Sequence, residues 1–458
     1  MQSVLAHKKL LSQANACQAA LSLALTQALG AGQPADRALN AFLRQNSQYG
    51  SRDRKVINEG VYAVFRWWGW LHRLDTTVRD WARKAAEADD QENLPVIQLT
   101  STARLLLAAF VIDGKELPET AIIWANLCNI PQDRCAEAAR LPNARERAAA
   151  ILKLMRLPER ELSEQDLVPS WTPQELAPET NLAKLLAWLQ RRPPMWLRSQ
   201  ANDTDALVAE LRAAGLLVEQ DSRVPQALRA TDSTVNLYAL PSFKNGLFEV
   251  QDIASQVIGL ACSPSPGQRW WDACAGGGGK SLQLSSLMQG KGSILASDLR
   301  EYKLEELRKR ARRANFSNIR TKEWNGLPLR ARQAVFDGVL ADAPCTCSGR
   351  WRRNPDARWN IDRDEIAEMA SLQGRILDGA ASGVKPGGVL VYATCSMFEQ
   401  ENSGVVKAFL SKHPDFALEP FTHPLSRQET DGTLQIWPWE GDCDSTFVAR
   451  LRRSQQTA

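Results

Sequence analysis

Apolar and polar positions change rhythm along the 458-residue chain, and each change marks a different kind of element. Over residues 1–150, Leu, Ala, Val and Trp recur at three- and four-residue spacing without strict alternation, which predicts an all-helical domain. Within it, Ser51-Arg52-Asp53-Arg54-Lys55-Val56-Ile57 reads as a helix start with Ser51 as N-cap, continuing through Val61, Tyr62, Val64, Phe65 and Trp67. From Leu157 to Pro194 the rhythm lapses, and six prolines among scattered acidic residues predict a loosely packed linker over 151–194. A small α/β subdomain is expected over 195–247, with strands at Met195–Arg198 and Val235–Leu240 and a helix at Thr204–Ala214. Phe248-Glu249-Val250-Gln251-Asp252 then leads into a helix from Ile253 to Ala261.

Beyond Arg269, short apolar runs alternate with helical periods, the signature of a doubly wound, Rossmann-like parallel sheet. Strands are expected at Arg269–Ala273, Ser293–Ser297, Ile319–Glu323, Val339–Ala341 and Gly388–Thr394. Helices are expected from Lys280, at Lys303–Asn315, at Arg363–Val384 and at Glu401–Lys412. Leu434–Pro438 and Ser445–Leu451 are expected as an antiparallel edge pair closing a domain that spans 248–458.

Composition narrows this picture only slightly. Hydrophobic content of 44% and charged content of 24% are those of an ordinary globular protein, and a net charge of +4 is too small to identify a partner. Nine cysteines without a CxxC pair argue against a disulfide framework and for a reducing, cytoplasmic compartment. The Ala/Leu-rich run ending at Ala31 is interrupted by Asn15, Gln18 and Gln27, so it reads as an amphipathic helix rather than a leader. No stretch has the apolar length to cross a bilayer.

Two constellations carry chemistry. The first is Asp272-Ala273-Cys274-Ala275-Gly276-Gly277-Gly278-Gly279-Lys280 with Asp298, which ends the next strand. A carboxylate at that spacing suits ribose hydroxyls, while a glycine turn lets the backbone approach a nucleoside. A P-loop would require glycine where Cys274 stands, and a dinucleotide fingerprint fits only because the loop is all glycine. S-adenosylmethionine fits best, with a purely structural turn as the plain alternative.

The second constellation is Asp342-Ala343-Pro344-Cys345 with Thr394-Cys395. Both thiols follow apolar runs at the carboxyl ends of presumed neighbouring strands, where open α/β sheets place their chemistry. Inert buried thiols are the commoner case. A metal site using Cys345, Cys347, Cys395 and Cys274 matches no zinc spacing and lacks a nearby histidine, so no metal is expected. Arg350, Arg352, Arg353 and Arg358, interleaved with Trp351 and Trp359, are expected to form a basic aromatic wall for RNA. A thiolate adding to carbon 6 of cytosine would turn carbon 5 into a nucleophile, splitting one hard step into two. Asp342 would hold the N3/N4 edge of the base.

With these residues assembled, the chain resembles the Nop/Sun family of RNA cytosine-5 methyltransferases, and within it the bacterial ribosomal RNA small subunit methyltransferase B branch. The resemblance is carried by Phe248-Glu249-Val250-Gln251-Asp252, the Asp272–Lys280 turn, Asp298, Asp342–Cys345, Arg352-Arg353-Asn354-Pro355-Asp356 with Trp359, Leu372-Gln373, Ile376-Leu377, and Tyr392-Ala393-Thr394-Cys395-Ser396 with Glu401-Asn402. It implies that Cys395 is the nucleophile, that Cys345 assists product release, that Lys280 supports the site, that Asp298 binds the cofactor ribose and that Asp342 contacts the target base. It extends the cofactor set to Asp272, Cys274, Ala275, Gly276, Gly278, Gly279, Lys280, Asn325 and Asp342. Residues 1–150 resemble a NusB-like RNA-binding domain, and 195–247 stands in the place of an RNA-recognition-like subdomain. The chain departs from the family pattern at Gly276-Gly277, at Cys347, at Asn325-Gly326 and at Asp444-Ser445-Thr446-Phe447. Cys347 adds a third thiol beside the site, as an alternative release thiol or an oxidation liability. The expected protein is a monomeric methyltransferase acting on small-subunit ribosomal RNA. An RNA-binding, antitermination-like factor with an idle catalytic half and a P-loop ATPase are the alternatives.

Overall fold

A computed structural model of the chain describes residues 2–74, 76–86, 97–158, 161–231, 235–329 and 334–455. Contacts divide it into two compact units, a coarser division than the four segments expected. One comprises Met1–Pro173, Asn181–Arg191 and Asn354–Ile361, the other Gln174–Thr180, Arg192–Arg353 and Asp362–Ala458.

The first unit is helical. The helices Gln2–Leu25, Ser51–Arg66 and Leu99–Asp113 share a core that includes Leu21, Val61, Val64 and Leu106. Gly60 permits their close approach, because a Cβ there would lie 2.8 Å from Leu106 Cδ2. The helix start at 51 is capped differently from expectation. Gly50 is the N-cap, and its N–H donates to the Asp53 carboxylate at 3.0 Å. Arg54 donates to the carbonyls of Leu43 and Tyr49, so this part of the motif braces the preceding loop.

The 151–194 stretch is not a loose linker. The helix Ala144–Leu154 runs through residue 150, and Leu182–Leu189 buries Leu185, Leu186 and Leu189 on one face. The leucine spacing governs there, while the prolines lie outside that helix. The segment Asn354–Ile361 belongs to this unit as well. Ala35 N–H donates to Asp356 Oδ2 at 2.9 Å, and Trp359 Nε1 donates to Phe65 O at 2.8 Å.

The second unit holds two sheets. The smaller comprises β1 (Met195–Ser199), β2 (Leu217–Gln220), β3 (Ala227–Thr231) and β4 (Phe248–Val250), ordered β2-β3-β1-β4 and antiparallel throughout. The helix Thr204–Ala213 forms as expected, with the Asp203 carboxylate accepting from Ala206 N–H. The strand expected at Val235–Leu240 does not form. Residues 237–239 make a 3-10 turn, started by the Asn236 side chain accepting from Tyr238 N–H and ended before Pro241.

The larger sheet comprises β5 (Arg269–Asp272), β6 (Ser293–Asp298), β7 (Ile319–Glu323), β8 (Phe336–Asp342), β9 (Val384–Thr394), β10 (Phe416–Leu418), β11 (Thr433–Ile436) and β12 (Thr446–Arg453). Its order is β10-β12-β9-β8-β5-β6-β7, with β11 also pairing to β12. Strands β7, β6, β5, β8 and β9 are mutually parallel, and β12 joins β9 antiparallel. The expected antiparallel pair forms, β11 with β12, but β12 is internal, since it also pairs with β9 and β10. β5 comes first in this sheet yet lies between β6 and β8, so strand order reverses there, and the carboxyl ends of β5 and β8 are where such sheets hold their ligands. Val339, Leu340 and Ala341 are fully buried, as expected for a parallel strand covered on both faces.

Candidate active site

The turn after β5 holds its shape through glycine. Gly278 has φ +87°, and a Cβ there would meet Leu307 Cγ at 2.4 Å, so no other residue fits. Gly276, at φ +51°, has open space where a Cβ would stand. Its N–H donates to Asp298 Oδ2 at 3.0 Å, which ties the turn to the end of β6. Asp298 also accepts from the Arg300 guanidinium at 3.0 Å and from Arg300 N–H at 2.9 Å. Burial raises the Asp298 carboxyl, but the Arg300 bonds outweigh it and hold it below the usual carboxylate range.

Asp272, the last residue of β5, is fully buried. Ser281 Oγ donates to its Oδ2 at 2.6 Å, while Oδ1 is buried without a partner. Burial pushes this carboxyl up to about 7. Cys274 is raised too, chiefly by burial, and Ala275 N–H donates to Ser297 O.

Lys280 sits in the first turn of the helix Gly279–Leu287, where the helix dipole opposes a cation. Asp342, at the end of β8, offsets this by accepting from Lys280 Nζ at 2.7 Å. Burial alone would lower the lysine, but Asp342 holds it above its usual range. Asp342 is itself raised by burial, with Lys280 opposing.

Parallel pairing of β8 with β9 brings the loops after them together. Cys345 Sγ lies 3.3 Å from Cys395 Sγ and 4.0 Å from Cys347 Sγ. All three thiols fall within 4.8 Å of one another. Hydrogen bonding from Cys345 and Cys395 draws Cys347 down to about 4. The same network, with burial, drives Cys345 well up. For Cys395 the bond with Cys345 works downward, but Cys347 and burial push it up to about 12. The cluster thus favours a single thiolate among three sulfurs.

Glu401 clamps these two loops. Its Oε1 accepts from Thr346 N–H and Gln373 Nε2 at 2.9 Å each, and its Oε2 accepts from Thr346 Oγ1 and Ser396 Oγ at 2.5 Å each. Four donors on one fully buried carboxylate fix Thr346 beside Cys345 and Ser396 beside Cys395. Sequence reading named Glu401 only as part of a motif. Its role depends on contacts 55 residues apart in the chain, which no spacing reveals.

Residues 259–452 match the family model described as 16S rRNA methyltransferase RsmB/F. A curated relative from Synechocystis, a probable ribosomal RNA small subunit methyltransferase B, is 32% identical over 307 residues, covering 64% of this chain and 68% of the relative. The chain belongs to this family. The ribosomal RNA small subunit methyltransferase B of Salmonella typhi is 36% identical over 292 residues, covering 62% of this chain and 66% of the relative. A crystal structure titled PH0851 matches at a TM-score of 0.72 and 24% identity, covering 95% of this chain and 98% of that one, and shares the fold.

RsmB/F proteins are S-adenosylmethionine-dependent methyltransferases, and the residues here fit that cofactor. A glycine turn open at Gly276, the carboxylate of Asp298 and the unpartnered Oδ1 of Asp272 are groups that receive an adenosine and an ammonium. Gly279 opens the following helix. Asn325 is exposed in the loop after β7, and its Oδ1 accepts from Leu327 N–H at 3.3 Å.

The expected basic aromatic wall is mostly interior. Trp351 is fully buried, and Arg352 donates to Asp442 Oδ1 at 2.6 Å and to Cys443 O at 2.8 Å. Arg358 is buried in the helical unit and donates to the carbonyls of Leu167 and Leu189. Arg353 is partly exposed and pairs with Asp252 at 2.9 Å and Asp444 at 3.2 Å. Only Arg350 of the four is an exposed residue. The reason lies far along the chain: carboxylates and main-chain carbonyls at least 90 residues away recruit guanidiniums that the sequence pattern assigns to solvent.

Proposed function

We propose that this chain methylates carbon 5 of a cytosine in small-subunit ribosomal RNA through a transient bond between Cys395 and carbon 6 of the base. The observation that carries the reading is the pair of thiols 3.3 Å apart at the ends of adjacent parallel strands, beside the Lys280–Asp342 pair. The ribosomal RNA substrate is drawn from the names of the relatives and agrees with this chemistry.

The Cys395 thiol gives its proton to solvent as the sulfur adds to carbon 6, and the electron pair moves toward N3 and O2. Asp342 holds the N3/N4 edge of the base and relays to N3 a proton from Lys280, which donates to it at 2.7 Å. Bound S-adenosylmethionine supplies an electrophilic methyl group. Cys345, once it has lost its own proton to solvent, takes the carbon 5 proton as thiolate, N3 returns its proton through Asp342 to Lys280, and Cys395 leaves as thiolate when its bond to carbon 6 breaks. Glu401 keeps the two sulfurs at the spacing that both roles require.

The helical unit is read as an RNA-binding domain of NusB-like character, with Arg350 adding a phosphate contact in the catalytic half. Transfer of labelled methyl to unmethylated 16S ribosomal RNA, with bisulfite mapping of the product, tests the function. One protected cytosine supports it. RNA binding without label, or label on another base, overturns it.

A further inference from the structure

Methyl transfer as proposed uses two thiols, yet the cluster holds three. Cys347 is in the left-handed region at φ +57°, and its Sγ lies 3.4 Å from Cys345 O, which folds it back toward the catalytic pair. Cys345 is the common neighbour, 3.3 Å from one sulfur and 4.0 Å from the other. A disulfide needs an S–S bond of about 2 Å, within reach of a small side-chain rotation from either separation. Cys345, Cys347 and Cys395 are all partly exposed, and Pro344 beside them is exposed, so a small oxidant has a route in.

We propose that the three thiols form a peroxide-reactive site in which Cys347 meets the oxidant and the oxidation ends as a reversible Cys345–Cys395 disulfide that silences the enzyme. The Cys347 thiolate attacks one oxygen of a hydroperoxide. The O–O bond breaks, Cys347 becomes a sulfenic acid, and the departing hydroxide or alkoxide takes a proton. Cys345 attacks that sulfur, releasing water and closing a Cys345–Cys347 disulfide. Cys395 then attacks the Cys345 sulfur and Cys347 leaves as thiolate, ready for the next exchange. Two thiols lose two electrons and two protons in all, and the peroxide is reduced to water and water or alcohol. Cys347 is the sulfur most readily kept as thiolate, since Cys345 donates to it at 4.0 Å and Arg350 adds positive charge.

The full-length enzyme is treated with one equivalent of hydrogen peroxide, quenched with an alkylating reagent and digested without reduction for mass spectrometry. The expected product is a peptide containing Cys345 linked to the one containing Cys395. Methyl transfer should fall in proportion to it and return with dithiothreitol. Cys347→Ser and Cys347→Ala should both form the link about tenfold more slowly, since a less ionised thiol must meet the oxidant. Sulfinic acid on Cys395 without a cross-link, or no loss of thiol, overturns the proposal. An unchanged rate in both variants overturns the part given to Cys347. The cross-link is read by mass and stands whether or not the chain methylates RNA; only the loss of activity rests on the function proposed above.

Discussion

Glu401 and Asp272 are both fully buried carboxylates, but their surroundings differ and so do their consequences. Every contact recorded for the Glu401 carboxylate oxygens is with a donor, so Glu401→Gln leaves one amide nitrogen facing groups that also donate. The hydroxyls of Thr346 and Ser396 can turn to accept, which preserves the fold at a cost of about 1–2 kcal/mol. Placement of the thiols should suffer more, with formation of the RNA adduct about tenfold slower while the affinity for S-adenosylhomocysteine is unchanged. Rapid-quench measurement of adduct against calorimetric binding separates the two effects. Asp272 has one partnered oxygen and one orphan, and burial raises it to about 7. Between roughly pH 4 and 7 the unfolded carboxyl ionises while the folded one keeps its proton, so this group makes the cofactor-free protein less stable as pH rises through that window. Asp272→Asn should flatten that slope in thermal melts taken from pH 4 to 8. An unchanged slope would mean that Asp272 is ionised in the folded chain.

At the scale of elements, the turn after β5 offers a paired test. Gly276→Ala meets only the backbone cost of a left-handed residue, roughly 1–2 kcal/mol. Gly278→Ala adds a collision with Leu307, and overpacking of that kind costs a further 1–3 kcal/mol or so. Urea denaturation should therefore rank Gly278→Ala as clearly the less stable. The arginine loop offers another contrast. Arg352→Ala leaves the Cys443 carbonyl without its donor and Asp442 with Arg229 alone, and should cost about 1–3 kcal/mol of stability. Arg350→Ala should leave the melt unchanged and reduce the salt dependence of RNA binding by about one ion. Filter binding across a salt series, with melts alongside, distinguishes these outcomes.

The same elements show what the sequence makes legible. β5, β6, β8 and β9 are visible because both faces of a parallel strand are covered, so Trp270-Trp271, Ile294-Leu295, Val339-Leu340-Ala341 and Val389-Leu390-Val391 stand out as apolar runs. β2 and β3 escape notice because they lie in an antiparallel sheet. Leu217 is exposed, and Arg229 reaches Asp442 across 213 residues. The meeting of Cys345 with Cys395 is legible from their places at the ends of neighbouring strands. The third member of the cluster and the carboxylate that clamps it depend on side-chain rotation and on long-range contacts. The burial of Arg352 and Arg358 is hidden for the same reason, since a guanidinium in sequence looks alike whether it faces phosphate or a carbonyl.

For the molecule as a whole, the family assignment rests on the α/β unit, where the matched residues 259–452 contain the glycine turn and both thiol loops. No helix among the described residues is long and apolar enough to cross a membrane. The helical unit brings a core of its own, and the RNA contact proposed for it is separable from the chemistry. The central claim is a division of labour between two sulfurs that stand almost in contact. Denaturing gel electrophoresis of single-cysteine variants incubated with labelled, unmethylated 16S ribosomal RNA and S-adenosylmethionine tests it most directly. Cys345→Ala should accumulate a covalent protein–RNA band, because the adduct forms and its release is blocked, and Cys395→Ala should give none. A band from Cys395→Ala, or equal behaviour of the two variants, would contradict the account.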